Sequence, residues 1–143
     1  MTDRQHTREV LRAHRYNLAA VSSLPDEIRR VDLALTSART SRPDALPSGG
    51  GEHDRLERLI VRRDELALRL EMAELTVRSV ERALDALRPD ERHILEVMDI
   101  YRQRGAAASL AEELCYADVS TVHRLEARAL DHFALALYGG DYT

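Results

Sequence analysis

Five residues near the C-terminus have side chains whose types and spacing fit contacts with nucleic acid: Ser120, Thr121, His123, Arg124 and Arg128. Arg124 and Arg128 are four residues apart, so on a helix they share a face. An arginine can bind guanine through two hydrogen bonds or hold a phosphate, and a serine or threonine hydroxyl can reach either group. The same residues also fit an ordinary solvated helix face with Arg–Glu pairs, because Glu126 and Asp131 lie nearby. Both interpretations are open at this point.

The element that would position these side chains is the second helix of a helix-turn-helix unit. Ser109, followed three residues later by Glu112, forms a capping-box pattern, which predicts the start of a short helix that ends near residue 114. Asp118 is a good N-cap for a second helix, predicted over residues 119–137 and ended by two glycines. In such a unit the N-terminal turns of the second helix enter the major groove of DNA.

Residues 54–87 carry a heptad pattern that predicts a long helix. Ten positions follow one another in steps of three and four residues, and all except Arg63 are apolar. The positions are Leu56, Leu59, Arg63, Leu66, Leu70, Ala73, Val77, Val80, Leu84 and Leu87. An apolar stripe of this length must be covered by a partner helix.

A second heptad pattern spans residues 6–40 and consists of Val10, His14, Asn17, Val21, Leu24, Ile28, Val31, Leu35 and Ala38. It keeps its register across Pro25, which favours one kinked helix over two helices in line. His14 and Asn17 stand where apolar residues are expected, as they would in a polar layer that sets the register or at a solvated helix end.

Residues 41–52, between the two patterns, contain two prolines, two serines and three consecutive glycines, which predicts a flexible loop. Because the flanking helices have similar lengths and heptads, residues 1–87 are expected to form a long antiparallel, coiled-coil-like helical hairpin with this Gly/Pro-rich tip. Residues 88–143 are expected to form the C-terminal helix-turn-helix module. The predicted fold class is therefore all-α.

The composition agrees with long helices and limits the electrostatic argument. The 143-residue chain has 32% charged residues, 4% aromatic residues and no tryptophan, and all 21 basic residues are arginine. Its formal net charge is -4, and residues 88–143 alone carry 6 arginines against 10 acidic residues. Because DNA-binding domains are typically basic, DNA binding here requires positive charge concentrated on one face, dimerisation, or a partner such as RNA polymerase.

Other classes of function find no support in the sequence. The six histidines lack the spacing of a zinc-binding helix, and no catalytic nucleophile or phosphate-loop motif is present, so neither enzymatic activity nor a metal or cofactor is expected. The single cysteine, Cys115, fits a reducing cytoplasm and is expected to be a small buried residue of the turn rather than a redox sensor. The polar N-terminus and the lack of a long apolar run predict no signal peptide and no membrane span.

Several short motifs follow one another in the C-terminal half of the chain. They are Leu84-x-x-Leu87-x-Pro89-x-Glu91-Arg92-x-Ile94-Leu95, then Tyr101, then Leu110-Ala111-Glu112-Glu113-Leu114, then Ser120-Thr121-Val122-His123-Arg124 and Ala129-Leu130. Their order and spacing resemble the region-4 domain of sigma factors, which reads the −35 promoter element. With the predicted hairpin and its Gly-rich tip, the chain as a whole resembles phage and prophage late transcription regulators of the RinA and ArpU type.

The resemblance implies a phage-type transcription regulator that binds double-stranded promoter DNA in the cytoplasm and works with RNA polymerase. The matching positions Ser120, Thr121, His123 and Arg124 are implied to face DNA, with Arg128 as a phosphate contact. Family members have a glycine in the turn and one residue fewer before the second helix. Here Cys115 or Tyr116 stands at the place of that glycine.

Two alternative functions accompany this expectation. One is a DNA-packaging protein similar to a phage terminase small subunit, which also joins a helix-turn-helix to a helical hairpin but assembles into rings. The other is a helical adaptor that binds only proteins, which the acidic balance favours. A further apolar set, Val61, Leu68, Met72 and Leu75, lies off the main heptad positions. It is expected to pack on the 88–137 module or on a second subunit of a homodimer.

Overall fold

The computed structural model of the chain describes residues 3–40, 49–116 and 118–139, and every regular element in these ranges is a helix. The elements are α1 (Asp3–Thr40), α2 (Gly49–Asp85), α3 (Pro89–Leu95), a π-helical turn (Glu96–Ile100), α4 (Ala106–Glu113) and α5 (Val119–Tyr138). The all-α class is therefore confirmed for the described residues. Among them, no helix combines the length and the apolar character that crossing a membrane would require.

The heptad pattern of residues 6–40 corresponds to α1, which continues through Pro25 as one helix. All nine heptad positions of α1 are buried or half-buried, including His14, which is 2% exposed. Burial of His14 agrees with the polar-layer interpretation and not with a solvated end.

The heptad pattern of residues 54–87 falls mostly on α2, and only Arg63 among its ten positions is exposed. Helix α2 begins at Gly49, inside the stretch that was expected to be loop, while residues 41–48 of that stretch lie outside the described residues. The glycines at the start of α2 therefore do not prevent a helix there, although glycine is a weak helix former.

Contacts within the chain define two packing units, Met1–Asn17 with Thr76–Thr143 (unit 1) and Leu18–Leu75 (unit 2). Their limits differ from the expected division between residues 87 and 88, because the first turns of α1 and the last turns of α2 share a core with the C-terminal helices. In unit 2, Leu35 and Leu66 are buried, and the Arg63 Nε atom lies 2.5 Å from Asp32 Oδ1.

Unit 1 contains two clusters of buried apolar side chains. The first consists of Leu11, Val80, Ala83, Leu84, Leu95, Ile100, Ala129, Leu130 and Phe133. The second consists of Ile94, Val97, Leu110, Ala111 and Val122. Helix α5 contributes to both clusters, because its buried positions recur at the three- and four-residue spacing of a helix. Both clusters therefore hold α5 in one orientation about its axis.

The apolar set Val61, Leu68, Met72 and Leu75 is 52–61% exposed in the single chain. The expectation that these side chains pack within the chain is therefore wrong. Helices α1 and α2 have heptad positions of their own to bury, and the off-heptad face of α2 points elsewhere. The second-subunit alternative stays a prediction.

The turn region before α5 differs from expectation at both ends of α4. The capping-box prediction at Ser109 is wrong, because α4 begins at Ala106 behind Gly105, which has a left-handed backbone (φ 69°). Three consecutive alanines give the first turn the highest helix propensity. Cys115, expected to be buried, is exposed and also left-handed (φ 60°).

Cys115 occupies the position after a helix that usually holds glycine. The backbone N–H of Tyr116 donates to the Ala111 carbonyl at 2.8 Å and that of Cys115 to Glu112 at 3.3 Å, which is the Schellman pattern of a helix C-terminus. Because a side chain at positive φ is strained, the Cys115→Gly variant should unfold with a free energy higher by roughly 0.5–1 kcal/mol.

Urea denaturation followed by circular dichroism would measure this gain. The Cys115→Ala variant is the matched control, because it removes the thiol but keeps the Cβ atom, and it should not share the gain. Equal stabilisation by both variants would show that the backbone strain is not its cause.

Candidate nucleic-acid interface

The first turn of α5 is built by Asp118, the predicted N-cap. Its backbone is extended (φ -143°, ψ 138°), and its Oδ1 atom accepts a hydrogen bond from the Ser120 backbone N–H at 3.1 Å. The Ser120 hydroxyl donates to Asp118 Oδ2 at 2.8 Å. These bonds from the Ser120 side chain and backbone lower the pKa of the Asp118 carboxyl below its ordinary value. The N-cap prediction is confirmed.

The side chains that the sequence singled out lie on the solvent side of α5. Ser120, His123, Arg124 and Arg128 are exposed, and Thr121 is half-buried. The Arg124 Nη2 atom donates to Thr121 Oγ1 at 3.2 Å, which orients the guanidinium along the first turns. The opposite side of the helix carries the buried Val122, Ala129 and Phe133. The five residues are thus brought together on one accessible helix face.

Among the described residues, the arginines of this face are not held in ion pairs, although the charge of the N-cap Asp118 acts on Arg124. Within the described part of the chain, no ion pair includes Arg124 or Arg128. The interpretation of a solvated face with Arg–Glu pairs predicted such pairs, with Glu126 or Asp131 as partners. Arg128 instead lines a small cavity of about 140 Å³ beside Glu91 and His132, which pair with each other.

The two acidic residues of α5 are paired with α1. The Arg8 Nη2 atom lies 2.7 Å from Glu126 Oε1, and Arg4 donates two hydrogen bonds to the Asp131 carboxylate, from Nε at 3.0 Å and Nη2 at 2.9 Å. The first cause of the lowered pKa of Asp131 is the Arg4 hydrogen bonding. Pairing by α1 therefore reduces the negative charge that α5 would otherwise present beside its arginines.

A buried acidic pair lies behind this face. The Asp99 side chain, in the π-helical turn, is 3% exposed and lies near Glu126, and the Arg8 Nε atom is 3.8 Å from Asp99 Oδ1. Burial, and then the charge of Glu126, raise the pKa of Asp99 to about 7, although Arg8 opposes the shift. Asp99 Oδ2 has no hydrogen-bond partner among the described residues. The pair was not expected from the sequence, although an acidic residue beside Ile94, Leu95 and Met98 on an apolar helix face is a usable signal.

A second polar group joins α1 to the end of α2. The His14 Nε2 atom lies 2.9 Å from Glu81 Oε1, and the Arg92 Nη2 atom lies 3.0 Å from Glu81 Oε2. Burial alone would raise the pKa of Glu81, but hydrogen bonds from His14 and Arg92 lower it below its ordinary value. Arg92 also pairs with Asp85 and Glu96, so one guanidinium connects the end of α2 with α3 and the π-helical turn.

The described residues contain no group of three or more His, Cys, Asp or Glu side chains arranged to hold a metal ion. The site is thus a helix face with exposed cations and hydroxyls, which suits recognition of a negatively charged, hydrogen-bonding partner.

Comparisons with protein-family models, curated proteins and solved structures found no match to this chain.

Proposed function

We propose that the chain is a phage-type transcription regulator that binds double-stranded promoter DNA through a C-terminal helix-turn-helix formed by α4 and α5. The observation that carries this proposal is the exposed face of α5, where Arg124 and Arg128 have no ion-pair partner among the described residues while the acids of the same helix pair with α1. That pairing weakens the objection from the acidic balance of residues 88–143, because α1 holds the two acids of α5 while the arginines of α5 stay exposed.

The geometry of α4 and α5 supports a helix-turn-helix. Helix α4 has eight residues and α5 has twenty, and only residues 114–118 separate them. Leu110 of α4 and Val122 of α5 are fully buried in the same cluster. Buried packing of a short helix against the first turns of a longer one is the arrangement that presents the longer helix to the major groove.

Contacts within each packing unit support the antiparallel hairpin of α1 and α2. In unit 1, His14 contacts Glu81, and in unit 2, Asp32 contacts Arg63. Each pair joins α1 to α2 within its own unit, as a hairpin requires. In this proposal the hairpin is the arm that carries contacts to a second subunit or to RNA polymerase.

In the proposed complex, the residues of α5 have distinct roles. Arg124, which Thr121 orients through its hydroxyl, reads a guanine with two hydrogen bonds. Arg128, one turn further along, holds a backbone phosphate. Ser120 already donates its hydroxyl proton to Asp118, so it must rotate away from the cap before it can donate to DNA. The first turn therefore contributes less than the two arginines.

The test is DNA binding by the Arg124→Ala variant. Loss of a bidentate base contact should weaken binding to the specific site by roughly 1–3 kcal/mol and relax the preference for one base. Fluorescence anisotropy with DNA from upstream of the neighbouring phage genes, at several salt concentrations, would measure this loss. Arg78→Ala is the matched control, because Arg78 is also an exposed helical arginine of unit 1 and forms no ion pair with another described residue. Unchanged binding by Arg124→Ala would remove the proposed role of α5.

One observation favours a second candidate function, a helical adaptor that binds only proteins. Residues 88–143 keep an excess of acidic side chains, which disfavours nucleic acid. If the chain is an adaptor, the full chain should show no salt-sensitive binding to any DNA. If it binds DNA through phosphate contacts, its affinity for DNA should fall steeply as the salt concentration rises. The mass of the protein in solution distinguishes a transcription regulator from a DNA-packaging protein. A packaging protein forms a ring, whereas a regulator forms a monomer or dimer.

A further inference from the structure

We propose that unit 1 carries a second anion-binding site, which binds a phosphate group between the start of α1 and the segment after the π-helical turn. A cavity of about 280 Å³ is lined there by Arg12, Arg15, Tyr16, Ile100, Tyr101 and Arg102. Three guanidinium groups and two phenol groups therefore line one small space. None of these residues belongs to the proposed DNA-facing set on α5, so the site does not rest on the proposed function.

The arginines of this cavity lack the ion pairs that other described arginines of unit 1 form. Among the described residues, Arg12, Arg15 and Arg102 take part in no ion pair, whereas Arg4, Arg8 and Arg92 of the same unit each have an acidic partner. Arg12 acts on the carboxyl of Asp99 through its charge, without an ion pair between them among the described residues. Like charges held near one another repel, and a bound anion would relieve that repulsion. Although the formal net charge of the protein is -4, three arginines without an ion pair among the described residues line this one cavity.

The backbone of Arg102 supports a binding role. Its φ of 50° lies in the left-handed region that favours glycine. The position follows the π-helical turn, and the backbone N–H of Gln103 donates to the Val97 carbonyl at 3.0 Å, which holds the chain in this conformation. Strained residues and π-helical turns both concentrate at functional sites. An arginine at this strained position lowers stability and supplies a guanidinium to the cavity.

The chemistry of the lining indicates which anion fits. Guanidinium groups bind phosphate through two parallel hydrogen bonds, and phenol groups add further donors. The cavity is slightly smaller than typical pockets for whole small molecules, so it suits a phosphate or diphosphate group more than a complete nucleotide. Tyr16 is 72% exposed and Tyr101 is 49% exposed, so the site is open to solvent. The phosphate group can therefore belong to a free compound or to a nucleic-acid backbone.

Isothermal titration of the full chain with pyrophosphate at low salt tests the site. The wild type should bind, and Arg15→Gln and Arg102→Gly should each weaken binding by at least about tenfold, because each loses a charge-assisted hydrogen-bond donor. Arg78→Gln is the matched control, since it removes one charge from an exposed helical position outside the cavity, and it should bind like the wild type. Arg102→Gly should also unfold at the same or a higher temperature, because glycine tolerates positive φ. Loss of binding in that variant is then not a loss of folding.

A second arm identifies the source of the phosphate. If the site holds the DNA backbone, Arg15→Gln should weaken binding to all duplex sequences equally and reduce its salt dependence, and pyrophosphate should compete with DNA. If the site holds a free phosphate compound, DNA binding should not change. The proposal is overturned when the wild type binds no pyrophosphate and both variants bind DNA like the wild type. If Arg124→Ala did not affect DNA binding, the proposed role of α5 would be wrong, but pyrophosphate binding at this second site would be unchanged. The two proposals can therefore be tested independently.

Discussion

The Asp99→Asn variant should have a higher free energy of unfolding than the wild type above neutral pH. The free energy of unfolding of the wild type should fall between about pH 4 and pH 7, and that of the variant should fall much less. Asp99 is 3% exposed, its neighbour Glu126 is 6% exposed, and one arginine, Arg8, contacts both. Burial, followed by the charge of Glu126, raises the pKa of Asp99 from 3.8 to about 7. An asparagine cannot acquire a charge in this buried place, and its amide can donate to the Glu126 carboxylate.

The direction of the pH dependence follows from proton linkage. Between pH 3.8 and about 7, the folded protein keeps a proton on Asp99 that the unfolded chain releases. Stability from this group is therefore fully present below pH 3.8 and is lost as the pH rises through about 7. A difference of about three pH units corresponds to roughly 4 kcal/mol as an upper value, so the variant should gain a few kcal/mol at alkaline pH.

Urea denaturation near pH 5 and near pH 8 would measure this difference. Asp54→Asn is the control, because it makes the same carboxyl-to-amide change at an exposed position on α2. Should Asp99→Asn lose stability at both pH values, the buried carboxyl would be a structural hydrogen-bonding group and not a charge held neutral by its surroundings.

The Phe133→Ala variant should lose roughly 3–5 kcal/mol of unfolding free energy, the range for removing a large buried aromatic side chain. Phe133 is fully buried and is the largest such side chain in the described chain. It belongs to the cluster that joins α5 with Leu11 of α1, Leu84 of α2 and Leu95 of α3. A cavity at this point weakens contacts with several helices at once, and a loss of this size is a large part of the stability of a small domain.

Thermal unfolding followed by circular dichroism gives the comparison. Leu135→Ala is the matched control, because Leu135 lies on the same helix but is 47% exposed, and exposed substitutions usually change stability by less than about 0.5 kcal/mol. Phe133→Leu should cost less than Phe133→Ala, since it leaves a smaller cavity. If Phe133→Ala unfolded like Leu135→Ala, the core of unit 1 would not depend on this side chain.

Local patterns in the sequence determined the helices and their caps. The heptad register indicated that α1 runs through Pro25, as the structure has it. Every heptad position of both patterns except Arg63 is buried or half-buried. Asp118 and Gly139 mark the two ends of α5 as expected. These features depend on residues within about one helical turn of each other, so they can be read from the sequence. The solvent-facing position of Arg124 follows from the same periodicity.

Where local signals competed, the tertiary structure decided. Ser109 had the pattern of a helix start, but Gly105 and the alanines after it begin α4 one turn earlier. Cys115 was expected to be buried because cysteine is usually apolar and buried, yet it is exposed at a left-handed position. The two units also divide α1 and α2, since packing follows shared cores and not the order of segments.

The electrostatics of the candidate interface were accessible only from the tertiary structure. The sequence alone showed acidic residues beside Arg124 and suggested local pairing. The structure pairs Glu126 with Arg8, 118 residues away, and Asp131 with Arg4, 127 residues away. The cation cluster around Arg102 likewise joins α1 to the segment after α3. Such contacts form only when distant segments share a core, because spacing along the chain carries no information about them.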